Sequence, residues 1–243
     1  MSRNNLIQIY NNTKVIAEKY PKPEKSIKIS YNRLNIDWSK IKQNNAPSIK
    51  IFNDDTLIIA NELYQKTKTD ILVLNLASPY RPGGGVETGA MAQEEELFRR
   101  SNYYQSLTQQ YYPIKDYERI YTKNVTILKN DYYQQISPYQ CSFLAIAAIR
   151  KPLLDNNKYR NIDRELMKKK IEMIFLAAIY YNYRNIVLGA LGCGAYDNPP
   201  EEVAEIFVTF IDKYKIYFDN IYFAIKSVRD NNYNIFVSYI KQT

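Results

Sequence analysis

Apolar residues recur along this chain in two rhythms, one of helical period and one suited to buried strands. Residues 2–20 place Leu6, Ile9, Tyr10 and later apolar positions at roughly helical spacing. Residues 21–47 interrupt that rhythm with Pro and Asn, hold the single tryptophan Trp38, and read as an irregular arm packed on a core. Residues 49–52 then read as a strand, and Asp54 or Asp55 caps a helix running through Leu57, Ala60 and Leu63. The apolar run at residues 71–77 is the kind shown by a strand covered on both faces. A helix is expected from about residue 92 to 107. Strands are expected at 121–128 and 142–149, with Asn130 and Asp131 turning the chain between them. A long helix at 162–181, a strand at 186–191, a helix opening at Pro199 and Pro200, a strand at 221–225 and a helix over 231–241 complete the pattern. Such alternation predicts a mainly parallel or mixed sheet covered on both faces, with ligands at the carboxyl ends of its strands. No repeat or low-complexity linker divides the chain. One domain is therefore expected, with a helix and arm over 1–47 packed on a core over 48–243.

Composition narrows the chemistry. The 243 residues are 46% hydrophobic and 24% charged, the profile of an ordinary globular chain. The longest apolar run, at 143–149, is too short to cross a bilayer as a helix, and the first residues lack a secretory apolar core. A cytoplasmic protein is expected, with no membrane association. Cys141 and Cys193 do not make a disulfide framework. There is no histidine, which removes the commonest general base, the commonest metal ligand and every histidine-dependent triad. The formal charge of +8 favours anionic partners, but the basic residues are scattered apart from Lys168, Lys169 and Lys170. No interleaved basic and aromatic motif appears despite 24 tyrosines, so direct nucleic-acid binding is not expected.

All seven glycines lie in two short segments. Gly83, Gly84, Gly85 and Gly89 follow one apolar strand; Gly189, Gly192 and Gly194 follow another. Alone, either segment is a tight turn. Together, at strand ends before helices, they point to a phosphate site built from successive backbone N–H groups. The first segment runs into Gln93, Glu94, Glu95 and Glu96. Acidic residues suit a first helical turn in any protein. Here a carboxylate so near a diphosphate cradle reaches the attached sugar, and glycosidic cleavage needs a carboxylic acid to protonate the leaving oxygen.

These residues resemble the microbial-type poly(ADP-ribose) glycohydrolases, a macrodomain family whose signature is a glycine triplet, six to eight residues, then Gln-Glu-Glu. Here the triplet Gly83-Gly84-Gly85 is followed after seven residues by Gln93-Glu94-Glu95. The stretch from Gly189 through Gly192, Cys193, Gly194, Ala195, Tyr196, Asp197 and Asn198 to Ala204 looks like the family's second diphosphate loop and its following helix. The resemblance spans roughly residues 48–226 and is much weaker over the first 40.

It implies a macrodomain-like three-layer α/β/α sandwich with a mixed central sheet and an N-terminal helical extension. It also implies hydrolysis of ribose–ribose O-glycosidic bonds in poly(ADP-ribose), releasing ADP-ribose. By position, Glu95 would be the catalytic acid and base, and Glu94 would hold ribose hydroxyls. The backbone of Gly83, Gly84 and Gly85 and the loop of Gly192, Cys193, Gly194, Ala195 and Tyr196 would clamp the diphosphate and distal ribose. Tyr196 stands where a phenylalanine usually covers the ligand, and Gln93, Asn75 and Asn198 are further contacts; a cap before Pro199 accounts for Asn198 equally well. The chain departs from the family pattern at Glu87 and Thr88, where an uncharged pair is usual, and at Asp197, where glycine is usual. No metal or cofactor is expected. The substrate would be poly(ADP-ribose) or an ADP-ribosylated protein, and the enzyme a monomer. A non-catalytic ADP-ribose reader would need the loops but not the Glu94–Glu95 pair, whereas a mono-ADP-ribosyl hydrolase would share the distal ribose site.

Overall fold

The computed structural model describes residues 1–228 and 230–243. In chain order its elements are α1 (Arg3–Ala17), β1 (Ile27–Ser30), β2 (Ser48–Phe52), α2 (Thr56–Thr67), β3 (Leu72–Leu76), α3 (Gln93–Arg100), β4 (Glu118–Lys129) and β5 (Gln135–Ile146). They continue as β6 (Leu154–Asp155), β7 (Lys158–Tyr159), α4 (Asn161–Tyr180), β8 (Asn185–Leu188), α5 (Pro200–Tyr214), β9 (Asn220–Ala224) and α6 (Asn232–Tyr239). The chain forms two compact units: Met1–Ile29 with Asn75–Ala147, and Ser30–Leu74 with Ala148–Thr243. The boundary at Leu74 and Asn75 falls inside β3.

In the first unit the strand order is β1-β4-β5, with β4 and β5 antiparallel. Asn130 closes their turn by accepting from the backbone N–H of Tyr132 and Gln134. Both strands are longer than the apolar runs predict, because the first residues of β5 are polar and largely exposed. Pairing with β4 holds them extended, and that partner is invisible to local periodicity. Ser2 caps α1, which buries Leu6, Tyr10, Thr13, Ile16 and Ala17. Full burial of a leucine such as Leu6 contributes roughly 1.5–3 kcal/mol.

Helix α3 ends at Arg100, well short of the expected residue 107. Ser101 is extended (φ −144°, ψ 173°) and forms an isolated bridge with Ile127. Asn102 donates its N–H to the Thr126 carbonyl, and its side-chain oxygen accepts from the Thr126 N–H. Exchange with β4 thus ends α3, and a short 3-10 turn at Tyr103–Gln105 follows.

In the second unit four parallel strands follow the order β3-β8-β9-β2. Leu72 faces Ile186 and Val73 faces Val187, while Ile221 of β9 lies between Ile186 and Ile49. β8 stops at Leu188, three residues before the expected end, where the glycine segment begins. Asp55 is the N-cap of α2: its Oδ1 accepts from Leu57 and Ile58 N–H. Phe207 of α5 meets Phe175 of α4, Phe223 of β9 and Phe236 of α6. The arm read as irregular contains β1 and two short 3-10 turns, and Trp38 stacks on Tyr214. The β6–β7 hairpin, too short to register as a periodic run, turns at Asn156 and Asn157, both left-handed as a two-residue type I′ turn requires.

Replacing Asp55 by Ala removes both N-cap bonds and is expected to cost about 1 kcal/mol in urea unfolding, whereas Asp55→Asn stays near the parent. Equal losses in both variants would show that charge, not capping, matters there.

Candidate active site

In the first unit the chain leaves β3 through Asn75, passes through the glycine triplet and returns as the first turn of α3. Gly83 and Gly84 are left-handed, with φ of 68° and 54°, a conformation glycine adopts without steric cost. Tight packing also demands them. A Cβ on Gly83 would come within 2.6 Å of the Phe98 ring, and one on Gly84 within 2.5 Å of Glu95 Oε1. A Cβ on Gly85 would come within 2.7 Å of Ala90 Cβ. The triplet therefore lies directly on the carboxylates that follow it.

The hydrogen bonds show how. Glu94 Oε2 accepts from the Ser78 N–H at 2.8 Å, and Oε1 accepts from the Gly83 N–H and Asn75 Nδ2, both at 3.3 Å. Glu95 Oε1 accepts from the Gly85 N–H at 2.8 Å. Gln93 Oε1 accepts from the Leu76 N–H at 2.9 Å, tying the start of α3 to the end of β3. Asn75, Gly83, Gly84, Gly85, Gln93, Glu94 and Glu95 are thus brought together. Glu94 is 3% exposed and Glu95 7%. Among the described residues, two buried oxygens here, Glu95 Oε2 and Asn75 Oδ1, have no hydrogen-bond partner.

Burial pushes the Glu94 carboxyl up to about 8, only partly offset by the Ser78, Asn75 and Gly83 donors; the charge on Glu95 adds to the rise. At neutral pH the pair therefore carries fewer than two negative charges. Glu87 is exposed to solvent.

Sequence reasoning missed the groups that hold this arrangement. The Ser78 backbone was unremarkable in sequence. Tyr103 is fully buried beside Phe98 and Phe143, and burial raises its phenol well above the ordinary value. Arg99 is fully buried; it pairs with Glu96 at 2.8 Å, donates to the Ala90 carbonyl and pins the end of the glycine loop to α3. The Leu-Phe-Arg-Arg-Ser run after the glutamates was the available signal.

The second glycine segment belongs to the other unit. Gly192 is left-handed (φ 78°), and a Cβ on it would meet Ala148 Cβ and Asn198 Nδ2 at 2.5 Å. Asn198 is 2% exposed and entirely engaged by protein. Its Nδ2 donates to the carbonyls of Ile149, Gly192 and Tyr196, and its Oδ1 accepts from the Tyr159 hydroxyl at 2.6 Å. It braces the loop from inside and does not cap α5, whose N-cap is Pro199. Gly194 and Ala195 are exposed on the loop's outer edge, and Tyr196 is half-buried. Asp197 is left-handed (φ 54°), which gives the physical reason that glycine suits this position. Cys193 is half-buried, and burial pushes its thiol up, away from nucleophilic character.

A family model described as microbial-type PARG, catalytic domain, matches residues 4–133, just over half of the chain. The match takes in α1, which the sequence resemblance left weak, and includes Asn75, the glycine triplet and Gln93-Glu94-Glu95. Comparison with curated proteins gave no match. Among solved structures, the chain is similar to poly(ADP-ribose) glycohydrolase from Thermomonospora curvata, with 23% identity and a TM-score of 0.86 over 98% of this chain and 100% of that one. The same enzyme bound to the inhibitor ADP-HPD matches at 24% identity and TM-score 0.84, again over 98% and 100%. The enzyme from Deinococcus radiodurans in complex with ADP-ribose matches at 24% and 0.71, over 82% of this chain and 86% of that one. At these identities the structures show a shared fold, the mixed α/β macrodomain type.

Two outcomes follow from this packing. Gly84→Ala forces a side chain into left-handed backbone against Glu95, so it should lose roughly 1–2 kcal/mol in thermal unfolding. Gly194→Ala, with nothing within 4 Å of its Cβ, should stay within about 0.5 kcal/mol of the parent. The second outcome concerns pH. A carboxyl whose folded value lies above its unfolded one contributes stability at low pH and loses it as pH rises through the folded value. Between pH 5 and 9 the parent should therefore lose on the order of a few kcal/mol more than Glu94→Gln, measured by urea unfolding. Parallel pH profiles would show that Glu94 ionises normally.

Proposed function

The chain belongs to the microbial-type PARG family and is a poly(ADP-ribose) glycohydrolase, and from that premise we propose that Glu95 moves the proton in cleavage of the ribose–ribose bond. The observation that carries this assignment is the contrast between the two glutamates. Both oxygens of Glu94 are taken by Ser78, Gly83 and Asn75, whereas Glu95 keeps one oxygen, Oε2, without a partner. A group that exchanges a proton with substrate needs a free oxygen aimed at it.

In the proposed reaction protonated Glu95 gives its proton to the leaving ribose oxygen as the glycosidic C–O bond breaks. The sugar passes through an oxocarbenium-like state. Water then bonds to the anomeric carbon, and Glu95 takes the proton that water releases, which restores the acid. Glu94, held by the Ser78 and Gly83 N–H groups and the Asn75 amide, positions ribose hydroxyls, and Asn75 Oδ1 accepts from one of them. The N–H groups of the glycine triplet are taken up by Glu94, Glu95 and the Arg81 carbonyl, so the dipoles offered to the diphosphate are those of α3's first turn, which require no rearrangement during reaction. In the second unit, the exposed backbone of Gly194 and Ala195 is the proposed phosphate-contacting part of its loop, Tyr196 supplies a ring to cover ligand, and Asn198 holds the loop's shape. The substrate is poly(ADP-ribose); ADP-ribosylated protein presents the same linkage, and the enzyme acts as a monomer in the cytoplasm.

The test is release of ADP-ribose from labelled polymer. Glu95→Gln keeps size and polarity but cannot cycle a proton, so turnover should fall by ~10²–10⁴-fold. Its affinity for ADP-ribose, by isothermal titration, should stay near the parent's. Glu94→Gln should lose activity with a clearer loss of binding. Parental turnover in Glu95→Gln would move the proton-transfer role to another group.

A further inference from the structure

Beside α1 lies a surface cavity of about 390 Å³, within the size range of small-molecule sites, roughly 300–1,000 Å³. Asn5, Gln8, Ile9 and Asn12 of α1 line it, with Lys129 at the end of β4 and Tyr133 from the turn that follows. All belong to the first unit, and neither Glu94, Glu95 nor the glycine triplet contributes to the lining. Met1 adds to the lining; three of the side chains are primary amides, and among the described residues Lys129 is the only charged side chain on the wall.

Lys129 is 2% exposed, yet no carboxylate pairs with it. Its ammonium donates to Asn12 Oδ1 at 2.9 Å and to the Ile9 carbonyl at 3.2 Å. That carbonyl also accepts the Thr13 hydroxyl at 3.0 Å. An ammonium has three donors, and this one meets only two neutral acceptors, one of them shared. The neighbouring carboxylate, Glu96, is committed elsewhere: it takes the Tyr133 hydroxyl at 2.9 Å and the Arg99 guanidinium at 2.8 Å. A cation withdrawn from water without an opposite charge is a destabilised group, and an anion arriving beside it restores the balance. Burial lowers its pKa to about 8, which leaves it largely protonated at neutral pH.

We propose that this cavity is a second ligand site, separate from the Glu94–Glu95 centre, that binds a phosphate group with Lys129 as counter-charge. The amides of Asn5, Gln8 and Asn12 supply neutral donors around the anion. The cavity is large enough for more than a bare phosphate, and its amides and the Tyr133 ring suit the edge and face of a nucleobase. Inorganic phosphate and a mononucleotide are the two sources of the same chemistry.

The experiment is isothermal titration of the full chain with AMP and, separately, with inorganic phosphate, each in saturating ADP-ribose so that the hydrolytic site is occupied. Saturable binding is expected under that condition. AMP binding about tenfold tighter than phosphate assigns a nucleotide, and equal affinity assigns free phosphate. Lys129→Met should weaken that binding by about tenfold or more, and Lys129→Arg should retain it. Asn5→Asp guards against a folding defect, because an acid in the first turn of α1 favours the helix while repelling an anion in the cavity. It should weaken binding without lowering the unfolding temperature. ADP-ribose affinity should be the same in all variants. Absence of saturable binding of either probe, or unchanged binding in both Lys129→Met and Asn5→Asp, overturns the proposal.

Discussion

Main-chain N–H groups from Ser78, Gly83 and Gly85 donate into the carboxylates of Glu94 and Glu95, and the active half of the first unit is arranged around those bonds. For the N–H groups to converge, the backbone must lie on the first turn of α3 with no side chain between. Only glycine permits that approach at Gly84, where a Cβ would stand 2.5 Å from Glu95 Oε1. Loop and helix therefore specify each other. A 3-10 turn at Val86–Thr88 stiffens the second half of the loop, and the bonds to Glu94 and Glu95 hold its first half against α3.

The same bonds give two adjacent residues of one type different surroundings. Glu94 is saturated with donors and withdrawn from water, so it is held rigid and its charge is suppressed. Glu95 is one residue further round the helix. It is fixed through one oxygen and leaves the other unpartnered. Two carboxylates of identical side-chain chemistry thus sit in different settings, one with both oxygens engaged and one with a single oxygen engaged. Buried Arg99 is neutralised by Glu96 while donating to a carbonyl of the glycine loop. Lys129, by contrast, donates to two neutral acceptors at a cavity wall.

In the second unit the glycine loop is stiffened differently. Asn198 replaces regular structure with three bonds from one amide to loop carbonyls, and Tyr159, from the small β6–β7 hairpin, fixes the amide's oxygen. A residue that sequence reading placed in contact with ligand is thereby the loop's internal brace. The exposed positions, Gly194 and Ala195, remain available because Asn198 points inward.

Much of this was legible in the chain alone. Apolar runs marked β3, β8 and β9 because strands covered on both faces leave no polar alternation, and Asp55 marked the start of α2 because its side chain satisfies donors within three residues. The confinement of all seven glycines to two segments, with Gln93-Glu94-Glu95 after the first, pointed to the family. These signals are local, so sequence carries them. The length of α3 was decided elsewhere, by Asn102 and Thr126 exchanging bonds with each other across twenty-odd residues of chain. The polar start of β5 is extended only because β4 lies beside it. The different settings of the Glu94 and Glu95 side chains depend on which backbone N–H groups surround each carboxylate. Those are contacts between distant segments, and only the folded chain sets them.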